Sequence, residues 1–144
     1  MRDQDLVPHA ALALRLGLGV MFLAHGLWLK GVVYTLPGTA AFFASVGLPG
    51  PLAYLVFAAE SIGGLLLIAG VQVRLAALAL LPVLLGATWV HWPNGWLFIN
   101  AGGGFEYPLF LALATGVQAL LGAGAGALRL PLRRPLPASA RGGA

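Results

Sequence analysis

The chain has 144 residues, 60% of them hydrophobic and only 8% charged, with a formal net charge of +4. So apolar a chain of single-domain length cannot hide its apolar surface in water, which excludes an ordinary soluble fold and points to lipid as the solvent. The absence of cysteine excludes a disulfide framework, a zinc–thiolate site, an iron–sulfur cluster and thiol chemistry carried by this chain.

A helical crossing needs about 20 mostly apolar residues. Residues 8–29 form the first such stretch. It is longer than the core of a signal peptide and is interrupted by Arg15, so no cleavable leader is expected. Pro37-Gly38 and Pro49-Gly50-Pro51 bracket the loop that follows. Inside that loop Thr39 is placed to cap a short apolar helix over 40–46 that ends at Gly47. This helix is expected to lie on the membrane, re-enter it, or pack over the mouth of the bundle. The second and third spans are residues 52–71 and 74–90, with Pro82 as a candidate kink. Trp92-Pro93-Asn94-Gly95 opens the next loop and Gly102-Gly103-Gly104 closes it. That glycine run has no following Lys and Ser/Thr and is not a phosphate loop.

The fourth span is residues 106–127. Residues 128–144 carry Arg129, Arg133, Arg134 and Arg141 among prolines, glycines and alanines. They read as a disordered basic tail, placed near anionic lipid headgroups rather than on nucleic acid. The expected fold is all-α: a polytopic membrane protein with a four-helix domain over 1–127 and a short interfacial or re-entrant helix after the first span. Arg2, Arg15, Arg74 and the tail lie on one side and Lys30 on the other, so both termini are expected in the cytoplasm. Trp28, Tyr34, Trp89, Trp92, Trp96 and Tyr107 then gather at the outer surface.

Ionisable groups are costly inside a membrane, so each one there faces the bundle interior and needs a partner. Glu60 is expected roughly 12 Å below the outer edge and His25 roughly 6 Å below it, at about 1.5 Å per residue. With His91, Asn94 and Glu106 they form a candidate ligand or proton-relay pocket in the outer half of the bundle. Arg15 and Lys30 are candidate supports, Arg15 by reaching along its neighbour toward Glu60. The same residues also fit a purely structural role, in which Arg15 and Glu60 pair to hold helices together. His25, His91, Glu60 and Glu106 are metal-ligand types, but they lack short ligand spacing, and no metal site is assigned. No residue is assigned as catalytic.

Several motifs, in order, resemble the DoxX family of membrane proteins. They are Leu14-Arg15-Leu16-Gly17 with Ala24-His25-Gly26, Gly38-Thr39-Ala40-Ala41-Phe42-Phe43, and Glu60-Ser61-Ile62-Gly63-Gly64. Gly70 with Arg74-Leu75, His91-Trp92-Pro93-Asn94-Gly95 and Gly103-Gly104-Phe105-Glu106-Tyr107-Pro108 continue the pattern. The family's recurring polar positions correspond to Arg15, His25, Lys30, Glu60, Arg74, His91, Asn94 and Glu106, Lys30 at a shifted spacing after the His-Gly pair. The resemblance implies a four-helix protein of a bacterial-type inner membrane. It also implies a link to oxidoreductase complexes: DoxD-like relatives are subunits of a thiosulfate:quinone oxidoreductase, and some DoxX proteins are linked to membrane complexes that handle oxidative and thiol stress. A membrane subunit whose pocket binds a quinone is therefore the leading expectation, with oxidoreductase subunits and a homo-oligomer as expected partners. A small-molecule binder or carrier without redox chemistry, and a structural or assembly protein, are the alternatives.

Overall fold

The structure is a computed structural model that describes residues 3–128. Arg2 and the arginines of the expected basic tail lie outside the described residues. Among the described residues every regular element is helical. Helix α1 (Asp3–Leu23) runs without a break into a π-helical segment (Ala24–Val33). Then come α2 (Leu36–Ser45), α3 (Leu52–Ala69), α4 (Val73–His91), a single 3₁₀ turn (Trp92–Asn94) and α5 (Glu106–Leu121).

The burial pattern is inverted relative to a water-soluble bundle. Leu55, Leu75, Leu113 and Leu120 face outward, whereas Arg15, Thr115 and Gln118 are buried almost completely. Lipid is as apolar as leucine, so outward leucines cost nothing there, and polar groups are drawn to the interior. A core of Leu18, Phe22, Leu67, Val73, Ala76, Leu80, Leu84 and Ala112 joins α1, α3, α4 and α5. Where α1 crosses α3, a Cβ added to Gly19 or to Gly64 would lie 3.0 Å from the other residue's carbonyl oxygen. The two backbones meet there because neither residue carries a side chain.

Three spans have the length and hydropathy of a membrane crossing: Leu6–Val33, Leu52–Ala69 and Val73–Asn94. The chain is thus a polytopic helical membrane protein. Several boundaries differ from expectation. The first helix continues to Val33 because the chain winds on in five-residue steps. The second stops at Ala69, where Gly70 takes a left-handed conformation (φ 73°) and Val71 N–H donates to the Leu66 carbonyl at 3.0 Å. The fourth stops at Leu121: Gly122, Gly124 and Gly126 all have positive φ and turn the chain back across the helix ends. The short loop helix begins at Leu36 rather than 40, because Thr35, not Thr39, is its cap; Thr35 Oγ1 accepts the Gly38 N–H at 3.3 Å. This helix, α2, packs on α3 and on the π-helical segment.

Candidate functional site

The π-helical segment places the first functional groups. Its last bond runs from Tyr34 N–H to the Leu29 carbonyl at 2.8 Å, a five-residue step. In an α-helix, residues five apart point about 140° away from each other, at about 100° per residue. In a π-helix they stack one above the other, so His25 and Lys30 share a face. Lys30 Nζ then donates to Glu60 Oε2 at 2.7 Å and lies 3.5 Å from the His25 carbonyl oxygen. The pair is well shielded, with 16% and 7% of the two side chains exposed. Gly26 lets the segment come this close: a Cβ there would sit 2.8 Å from Ser61 Oγ and 3.1 Å from Glu60 Cβ.

An unpaired charge at this depth costs a few kcal/mol or more. The contact between ammonium and carboxylate offsets that cost and leaves the site neutral overall. The pair borders a cavity of about 540 Å³ between α2, α3, α4, the π-helical segment and the start of α5. Its wall is mostly apolar, with Phe42, Phe43, Leu55, Val83 and Trp89 among the lining residues. Polar groups enter it from His25, Lys30, Glu60, His91 and Tyr107. Cavities of this size with a few convergent polar groups are typical of small-molecule sites.

His25 is fixed in orientation. Its Nδ1 is 2.8 Å from the Met21 carbonyl oxygen, which can only accept, so Nδ1 carries the hydrogen and Nε2 of the neutral ring is the acceptor. The ring stacks on Tyr107, with centroids 6.0 Å apart and planes at 28°. The Tyr107 hydroxyl points to Met21 Sδ at 3.6 Å.

The expected pocket set divides in three. His25 and Glu60 converge with Lys30. His91 reaches the cavity edge, but its Nδ1 is held at 3.1 Å by the Gly102 and Gly103 carbonyls. Asn94 and Glu106 do not line the cavity. Asn94 Nδ2 donates to the same two carbonyls, and Glu106 Oε1 accepts the Phe98 N–H at 2.7 Å. Arg15 departs from the expected contact with Glu60. It sits at the opposite end of the bundle and donates from Nη1 to the Ala123 carbonyl at 2.9 Å, with Nη2 near those of Ala125 and Gly126. Glu60's partner is Lys30, and Arg15 takes no part in the cavity. Among the described residues no three His, Asp or Glu side chains come together as a ligand set.

A model of the DoxX family matches residues 10–93, more than half of the chain. The chain belongs to the DoxX family. It is also 38% identical over 76 residues to a Bacillus subtilis (strain 168) protein named "Putative oxidoreductase CatD", covering 53% of this chain and 54% of that one. The chain thus matches about half the length of this curated relative. No solved structure matches it.

The DoxX match includes His25, Lys30, Glu60 and His91 and stops before Glu106 and Tyr107. Tyr107 is the cavity residue that sequence reasoning treated only as an interface aromatic. Its position directly after the loop, one residue beyond a helix-starting Glu, carries no sequence signal for stacking on a histidine in another helix. The apolar wall contributed by α2 was legible only as a helix over the bundle mouth.

Proposed function

We propose that this DoxX protein is the membrane subunit of an oxidoreductase complex and that its cavity takes the headgroup of a quinone. The observation that carries this reading is a shielded, mutually neutralised Lys30–Glu60 pair opening on a mostly apolar cavity. Such a site suits an uncharged, flat, lipid-soluble molecule with carbonyl acceptors. Apolar walls and Tyr107 would bind its ring, and the Lys30 ammonium would donate to a carbonyl oxygen. When bound, a quinone supplies a two-electron, two-proton couple, and the electrons come from a partner subunit. Within this chain Glu60 and His25 Nε2 are the groups able to hold or pass a proton at the carbonyl. The name of the Bacillus subtilis relative supports the oxidoreductase context.

The same reading places the protein in a bacterial-type inner membrane. Arg15 and Arg74 lie at one end of the bundle and Lys30 at the other. The arginines at the first end support a cytoplasmic position for it, with the cavity then in the outer half.

The test is native mass spectrometry of the protein in mild detergent with added short-chain ubiquinone and menaquinone. Retention of one quinone by the wild type is expected, with at least a tenfold loss of affinity in a folded Lys30→Met/Glu60→Gln double variant. Equal retention by that variant, or none by the wild type across both quinones, overturns the reading.

A further inference from the structure

Helices α3 and α4 meet closely at Gly63 and part from there toward the cavity end. A Cβ added to Gly63 would lie 2.7 Å from Leu80 Cδ1. Beyond that contact Val56 and Ala59 on α3, with Val83 and Ala87 on α4, line the cavity. Pro82 lies where the helices part. It has no N–H to offer the Leu78 carbonyl, so the α4 ladder is interrupted at that level. Helix α2 packs on α3 and on the π-helical segment, and its backbone does not come against α4.

The gap between α3 and α4 is open on its membrane side. Ala79, Pro82, Gly86 and Trp89 recur every three or four residues down one face of α4, and each is exposed while lining the cavity. On α3 Leu55 does the same. Leu55 and Trp89 are 65% and 63% exposed although both border the cavity, so they are lips of an opening rather than interior wall. A Cβ added to Gly86 would meet no atom within 4 Å. From Ala79 to Trp89 the open column runs about 15 Å at about 1.5 Å per residue, roughly half the hydrocarbon core of a bilayer. It lies within the crossing Val73–Asn94 and carries no charged side chain. Acyl chains, not water, are the medium that meets such an opening.

We propose that this gap is the portal of the cavity and that the ligand is an amphiphile with a long hydrocarbon chain. Its headgroup reaches Lys30 and Glu60, while its chain passes out beside Gly86, between Leu55 and Trp89, into the surrounding acyl chains. The nature of the headgroup rests on the quinone reading above; the portal adds the chain and the route of entry. Lipid is as apolar as the portal, so the chain gains little by lying in it. The portal acts sterically: the chain stays in lipid while the headgroup it carries reaches the ion pair.

Two ligands test this: a ubiquinone headgroup with a decyl chain, and the same headgroup with hydrogen in place of the chain. Dissociation constants are measured by native mass spectrometry on the full chain at a fixed concentration of mild detergent. Dividing each variant's value by that of wild type for the same ligand cancels partitioning into the micelle. Gly86→Phe narrows the portal, and because it replaces a glycine inside a helix its melting temperature should not fall. It is expected to weaken the decyl ligand by about fivefold or more beyond its effect on the chainless one, the lower end of what overpacking does. Leu55→Trp, on the opposite lip, should act in the same direction. Leu85→Phe, beside Gly86 on α4 but exposed and outside the cavity wall, should treat the two ligands alike. If both portal variants weaken the two ligands equally, or Leu85→Phe discriminates as they do, the portal is overturned and the quinone reading stands. If the wild type binds neither ligand, both fall together.

Discussion

The two ends of the bundle each bury a cation, and they treat it differently. At the cavity end Lys30 meets a carboxylate, Glu60, and the pair borders the cavity. At the other end Arg15, 1% exposed, meets backbone carbonyls of the segment after α5, and that region is closed: Ala125 N–H donates to the Pro8 carbonyl at 2.9 Å and Leu128 N–H to that of Ala69 at 3.2 Å. A guanidinium has five donors in a fixed fork and cannot lose its proton in a protein, which suits it to clamp several carbonyls at once. An ammonium is a single compact charge on a flexible stem, which suits a contact that a ligand can share. The first arrangement fastens the chain; the second leaves a polar site available.

The largest effect expected from breaking this contrast comes from Lys30→Met, which strands Glu60 in an apolar setting. Loss of about 3–5 kcal/mol is expected, read as a lower melting temperature in detergent. Adding Glu60→Gln should restore much of it, and a double variant no more stable than Lys30→Met would show that the pair is not the source of the loss. Arg15→Met comes next, at about 1.5–3 kcal/mol for hydrogen bonds made by a charged group. Its signature is faster hydrogen exchange at residues 122–128 with ligand affinity at the cavity unchanged; a loss of affinity instead would tie the two ends together.

Gly26→Ala sharpens the comparison from the cavity side. The added methyl meets Ser61 and Glu60, and overpacking of this kind costs about 1–3 kcal/mol. Quinone affinity should fall together with stability, since the π-helical segment must back away from α3. The smallest effect is expected for Tyr107→Phe. It removes only the hydroxyl contact to Met21 Sδ and keeps the stack on His25, so melting should move by about a degree or less and quinone retention stay near wild type. Tyr107→Ala, which removes the stack, should lower retention severalfold in the same native mass spectrometry assay.

Hydropathy alone made the first three spans legible, because lipid imposes length and composition directly. It also brought out Glu60 and His25, since ionisable residues inside apolar stretches are few. The partner of Glu60 was not legible. Helical periodicity turns Lys30 away from His25, and no residue type announces a five-residue winding. Arg15 was misdirected for a related reason: its acceptors are main-chain carbonyls of Ala123, Ala125 and Gly126, which no side-chain pattern can reveal. Asn94 and Glu106 were expected in the pocket and instead hold the loop, because sequence does not distinguish a residue that meets a ligand from one that satisfies a loop.

The winding between His25 and Lys30 also bears on how chain length can vary in this protein. A five-residue step in a π-helix covers the same azimuth as a four-residue step in an α-helix, so the segment acts as a reservoir for one extra residue. Deleting Trp28, which is exposed, would let this stretch rewind as an α-helix with the histidine and the lysine still on one face. A one-residue deletion here is therefore expected to be tolerated, whereas in α3, where every residue is held in α register, a single deletion would rotate Glu60 about 100° out of the site.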